Sequence, residues 1–118
     1  MAQLIQLIDD VVANKFDVPQ GSLHLGRHPG SDIQLDDGAV SARHARIIAE
    51  TNADFPQFRE YYLEDLHSTN GTFVNGQKIS GRRRLHHNDT LRIAWNEFKF
   101  VDHEEQNLDR TVHMLADQ

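Results

Sequence analysis

Cysteine is missing from all 118 residues, which removes disulfides, thiolate nucleophiles and thiolate-ligated metals from consideration. An intracellular protein needs none of these. Long apolar runs are missing too: the stretches of low polarity are short and alternating, which excludes a transmembrane helix. Met1 to Asp10 lacks a basic n-region and carries only Leu4, Ile5, Leu7 and Ile8 as an apolar pattern, so no secretory signal is expected and the chain is read as cytoplasmic. Positive charge is in deficit. Twelve Lys and Arg stand against eighteen Asp and Glu, for a formal net charge of −6. This argues against nonspecific binding to nucleic acid or a membrane surface, which is driven by basic fields releasing counterions. Any anion site must therefore be a local exception. Arg43 and Arg46 flank His44, and Lys78, Arg82, Arg83, Arg84 and Arg92 lie close together, while acids concentrate at Asp9, Asp10, Asp36, Asp37 and from Asp102 onward.

Helical periodicity is weak throughout, and turn chemistry takes its place. Turn residues recur about every eight to twelve positions: Pro19 to Gly21, Pro29 to Ser31, Asp36 to Gly38, Asn70-Gly71, Asn75-Gly76 and Ser80-Gly81. That rhythm predicts an all-β domain with one core, in keeping with the length and with an apolar fraction of 38%. Strands are expected over Leu4 to Ile8, Leu23 to Gly26, Ile33 to Leu35, Ala45 to Ala49, Phe58 to Leu66, Thr72 to Val74, Thr90 to Ala94 and Glu97 to Val101. Ile33 and Leu35, Tyr61 and Leu63, and Leu91 and Ile93 alternate so as to point inward together. The domain is read as residues 1–103. An acidic, polar and flexible tail is expected over 104–118, although Leu108, Val112 and Leu115 have helix-like spacing.

Asn75-Gly76 is expected to form a hairpin tip, because a type I′ turn needs positive φ at both central residues. Asn70-Gly71 has the same local chemistry but a richer neighbourhood. From Leu63 the chain reads Leu-Glu-Asp-Leu-His-Ser-Thr-Asn-Gly-Thr-Phe-Val-Asn-Gly, and upstream stand Gly26-Arg27 and Ser41-Ala42-Arg43-His44. In order and separation, over almost the whole chain, these elements resemble the forkhead-associated (FHA) domain family. The resemblance implies a β-sandwich of about eleven strands, with loops at one end that recognise phosphothreonine. The partner would then be a threonine-phosphorylated protein or peptide, modified by a Ser/Thr kinase, and the chain a signalling adaptor rather than an enzyme.

Phosphothreonine carries about −1.5 to −2 charges and strong acceptor oxygens, so its site needs a charged donor, placed neutral donors and an apolar surface for the methyl. Arg27 is expected to clamp the phosphate with its forked guanidinium, after a glycine, Gly26, that lets the backbone bend sharply. Ser41 offers a hydroxyl and a backbone N–H to the phosphate oxygens, and Arg43 a second positive charge or a contact to an acidic peptide residue. Thr69 is expected to place a hydroxyl or amide at the phosphate, and Asn70 to hold the peptide backbone through its side-chain amide. Gly26, His44, Asp65, Gly71 and Thr72 are assigned to structural support of the site; in the family this histidine holds the serine loop in place.

Other chemistries fit the sequence less well. A small serine hydrolase, or a phosphatase, built on Ser41 and His44 lacks the Gly-x-Ser-x-Gly elbow. A phosphate-independent interaction module of the same fold remains the alternative within binding proteins. Of the eight histidines, adjacent His86 and His87 would face opposite sides of a strand and could not readily hold one ion, so no metal and no cofactor are expected. Arg82 to Arg84 is read as a solvated hairpin face. Finally, Thr111 in Asp109-Arg110-Thr111-Val112 is a candidate for phosphorylation and self-association through the tail.

Overall fold

A computed structural model describes residues 2–105 and places eleven strands in two packed sheets. They are β1 (Ala2–Ile8), β2 (Val11–Val18), β3 (Gly21–Gly26), β4 (Ile33–Gln34), β5 (Ala45–Thr51), β6 (Arg59–Asp65), β7 (Thr72–Val74), β8 (Gln77–Lys78), β9 (Arg82–Leu85), β10 (Thr90–Ile93) and β11 (Asn96–Asp102). One sheet runs β2-β1-β11-β10-β7-β8 and the other β4-β3-β5-β6-β9. Every pairing is antiparallel except β3 with β4. The alternating residues meet between the sheets: Ile33, Leu35, Tyr61, Leu63, Leu91 and Ile93 are all buried, alongside Leu4, Leu25, Ile47, Phe98 and Phe100. Among the described residues no helix is long and apolar enough to cross a membrane.

Three strands were not anticipated. β2 is an edge strand whose first five residues are all exposed, so its Asn14-Lys15 centre carries no alternation, and only Phe16 and Val18 turn toward the core. β8 is two residues long. The third is β9, where Arg82 and Arg84 keep their side chains exposed on a sheet edge. These residues pair with β6, whose Tyr62 ring lies 4.0 Å under Arg82 and whose Glu60 meets Arg84 at 3.6 Å, while Arg82 reaches past β6 to Glu50 of β5 at 3.0 Å. Arg82 and Arg84 thus meet glutamates while Arg83 donates to the Gln77 amide oxygen, and basic side chains on a sheet edge also discourage edge-to-edge pairing.

Asn75-Gly76 forms the expected hairpin tip, with φ of 50° and 81° joining β7 to β8. At the other end of the chain, a helical turn at 103–105 follows β11 and extends the described domain past residue 103. Asp102 Oδ1 accepts the N–H groups of Glu104 and Glu105, and Glu105 reaches His86 Nδ1 at 2.8 Å. Leu108, Val112, Leu115 and Thr111 lie outside the described residues.

Register decides where the loops gather. Leu25 of β3 lies opposite Ala45 of β5, which lies opposite Asp65 of β6. In the facing sheet Thr72 of β7 lies opposite Ile93 of β10. The β3–β4, β4–β5, β6–β7 and β10–β11 connections therefore leave the sandwich at one end.

Candidate functional site

At that end the two sheets are tied together by a buried histidine. His44 has no exposed surface; its Nδ1 accepts the Ser41 N–H at 3.1 Å and its Nε2 lies 2.8 Å from the Gly71 carbonyl. An N–H can only donate and a carbonyl can only accept, so these partners select the neutral tautomer protonated on Nε2. The backbone of the same residue adds a further link, as its carbonyl accepts the Leu66 N–H. His44 thus links the β4–β5 loop to the β6–β7 loop.

Asp65 organises the β6–β7 loop. Its Oδ1 accepts the hydroxyls of Ser68 and Thr72, the latter at 2.8 Å, and Ser68 Oγ in turn accepts the Gly71 N–H at 3.1 Å. Thr72 is fully buried, and Gly71 takes a φ of 89°, which favours glycine. This loop crosses from one sheet to the other, so Asn70-Gly71 is not a hairpin tip. Ser68 was missed as a support. The signal for it was its position three residues after Asp65, a spacing at which short polar side chains bond the local backbone.

Gly26 is needed for a different reason from the one expected. It lies within β3 with no positive φ, but a Cβ there would stand 2.2 Å from the Ala42 carbonyl oxygen. Close approach of two backbones, not a sharp bend, requires the glycine. That approach lets Arg27 N–H donate to the Ser41 carbonyl at 3.0 Å and His28 N–H to the Ala42 carbonyl at 3.1 Å.

Four of the five expected ligand residues line one concavity of about 280 Å³: Arg27, Ser41, Thr69 and Asn70, with Gly38 to Ala42 completing its wall. Arg27 Nε donates to the Val40 carbonyl at 3.1 Å, which holds the guanidinium while leaving its terminal nitrogens without a carboxylate partner among the described residues. Two donors are already engaged within the domain. The Ser41 N–H serves His44, and the Thr69 N–H donates to Ser41 Oγ at 3.0 Å, so neither amide is available to a phosphate. Ser41 Oγ accepts that bond and keeps its own hydrogen for an incoming acceptor, as does the Thr69 hydroxyl. Asn70 Nδ2 donates to the Ala39 carbonyl at 2.8 Å, which orients the amide and leaves Oδ1 to accept. Arg43 is not among the concavity's lining residues. It borders a neighbouring groove of about 680 Å³ with His24, His28, Ser31 and Arg46.

Comparison with known proteins agrees with this architecture. The FHA domain family model matches residues 23–94, and the chain belongs to the FHA domain family. It is 41% identical over 66 residues to the glycogen accumulation regulator GarA of Mycobacterium tuberculosis, a match covering 56% of this chain but only 36% of that protein. Among solved structures, the FHA domain of the CT664 protein from Chlamydia trachomatis shares 29% identity with a TM-score of 0.74, covering 86% of this chain and 97% of that one. An FHA domain solved in a study of phosphothreonine-dependent FHA domain interactions shares 28% identity with a TM-score of 0.72, covering 86% of this chain and 96% of that one.

Proposed function

We propose that this chain is a non-enzymatic binding module that recognises phosphothreonine in partner proteins at the Arg27, Ser41, Thr69 and Asn70 concavity. The observation that carries this reading is the convergence of those four side chains, from three loops, on one small hollow. A tethered guanidinium supplies the charge, two hydroxyls supply neutral donors, and an oriented side-chain amide meets the backbone of an extended peptide. The phosphothreonine-dependent interactions of a structural relative with 28% identity support the same assignment. A cytoplasmic Ser/Thr kinase would generate the ligand. Arg43 would act outside the phosphate contact, on an acidic residue elsewhere in the peptide. Phosphorylation of Thr111 would give the domain a ligand on its own tail, detectable as a change in sedimentation.

The non-enzymatic reading is supported by the state of His44. Both ring nitrogens are engaged, the ring is sealed from solvent, and it touches the Ser41 backbone rather than Oγ. A general base must instead reach the proton it abstracts. The test is a phosphothreonine peptide-library screen with Arg27→Ala as control. Selective capture of phosphorylated peptides by the wild type alone is expected; equal capture by both proteins would refute the assignment of Arg27.

A further inference from the structure

A sheet edge exposes unpaired N–H and C=O groups, and proteins keep such edges short, charged or covered. Three of the four edges obey that rule: β4 and β8 have two residues each, and β9 has four, three of them arginine. β2 does not. It runs for eight residues, pairs on one side only, with β1, and leaves Val11 66% and Val12 52% exposed beside Ile8 at 57%. Apolar side chains gathered on one exposed hairpin mark an interaction surface.

The free backbone groups of an edge specify an extended strand as their occupant, and symmetry tests whether a second copy of β2 fits. In an antiparallel pair, residues directly opposite point to the same face, while side chains alternate along each strand. A strand that meets its own copy about a twofold axis must therefore place one residue on that axis. Lys15 or Asp17 on the axis would set like charges directly opposite, which is destabilising. Asn14 on the axis would set Phe16 against Val12, and these lie on different faces. Phe16 lies opposite the buried Leu4, whereas Val12, beyond a bulge at Ala13, lies opposite Leu7. An axis nearer either end leaves few residues to pair.

Phe16 on the axis meets every constraint. Lys15 and Asp17 share the outward face, opposite Ile5 and Gln3 of β1, and neither forms an ion pair among the described residues. In this register Lys15 stands opposite Asp17 of the second copy, on both sides of the axis, and Phe16 stands opposite its own counterpart. A lone lysine guards an edge against pairing; here Asp17 of the second copy answers it.

We propose that β2 is a homodimer interface, in which Asn14 to Val18 pair antiparallel with the same segment of a second copy and join the two larger sheets into one. The register carries Val11 and Val12 toward the Pro19 to Gly21 turn of the second copy, which borders a hollow of about 500 Å³ lined by Val18, Pro19, Pro56, Arg59 and Tyr61. So short a ladder buries little surface, and the association is weak and concentration-dependent. Leu7 lies opposite Glu97, so the β1–β2 turn sits at the same end as the β10–β11 connection and the concavity. Antiparallel pairing then points the two concavities in opposite directions, which suits a dimer that gathers two ligands rather than one that grips a single peptide twice. The interface itself does not depend on the phosphopeptide reading.

The test is sedimentation equilibrium of unphosphorylated protein, which presents no phosphothreonine of its own, from about 1 μM to about 1 mM. The mass should rise toward twice that of the monomer. Lys15→Glu and Asp17→Lys should each weaken association about tenfold, through two symmetric charge contacts turned repulsive, although one lowers the net charge and the other raises it. The double variant, which restores opposite charges across the axis, should recover the association, with thermal unfolding confirming that all variants are folded. A constant monomer mass over that range, single variants that associate like the wild type, or a double variant as weak as the singles would each overturn the proposal. None of these results bears on phosphothreonine binding, which peptide titration tests separately.

Discussion

Single side chains at the loop end have sharply different duties, and substitution separates them. Arg27 is exposed and joined to the fold by one side-chain bond to Val40, so Arg27→Ala should leave stability nearly intact. It should weaken phosphopeptide binding about tenfold or more, since a hydrogen bond to a charged group contributes about 1.5–3 kcal/mol. Titration calorimetry with thermal unfolding as control checks both halves. Gly26→Ala should do the reverse. Its new Cβ meets backbone atoms of Ala42, which cannot swing aside, so a loss of about 1–3 kcal/mol in unfolding free energy is expected. The meeting of Arg27, Ser41, Thr69 and Asn70 in one hollow was legible from the order and separation of the motifs that carry them. The reason for Gly26, and the engagement of the Ser41 and Thr69 amides, were not. Gly26 meets Ala42 across 16 residues of sequence and Thr69 meets Ser41 across 28, which no local pattern records, and the Ser41 bond to His44, though only three residues long, depends on how the buried ring is turned.

At the scale of elements, two of the three loops that form the hollow are clamped on a histidine. His44→Ala removes both bonds of the buried ring and leaves a cavity, so it should cost about 2–4 kcal/mol and broaden the amide signals of Ser41 and Gly71 in NMR spectra; unchanged signals would count against the clamp. Strands with a buried face were readable by alternation, as Leu91 and Ile93 illustrate. β2 was not, because an edge strand with five consecutive exposed residues has no face to alternate. β9 escaped for a related reason: three consecutive arginines offer no apolar face to alternate, and the glutamates and the Tyr62 ring that they meet lie on β5 and β6. Loop chemistry was therefore easier to read than edge strands.

For the whole molecule, pH enters twice. Burial is the largest cause raising the Asp102 carboxyl above its ordinary value, with the Glu104 and Glu105 N–H groups acting in the opposite direction. A raised folded value means that the native state holds this proton where the unfolded chain releases it. The contribution of Asp102 to stability therefore falls as pH rises from the ordinary aspartate value through the raised one. In Asp102→Asn that part of the pH dependence should vanish, as denaturant unfolding between about pH 3 and 7 would reveal. Ligand binding should run the other way and strengthen as pH rises through about 6, where a phosphate monoester gains its second charge.

The same charge logic selects the partner. A protein of net charge −6 with a local cationic hollow disfavours polyanions at large, and aspartate in place of phosphothreonine brings one charge and a planar acceptor, so it should bind weakly or not at all. The methyl of threonine contributes about 0.8 kcal/mol by burial, or about fourfold over phosphoserine; any larger preference must come from shape. The most direct measurement is calorimetric titration of one peptide in its phosphothreonine and plain threonine forms. Heat and a measurable Kd with the phosphorylated form alone are the predicted result; equal affinity for the two forms would contradict phosphate recognition at Arg27, Ser41, Thr69 and Asn70.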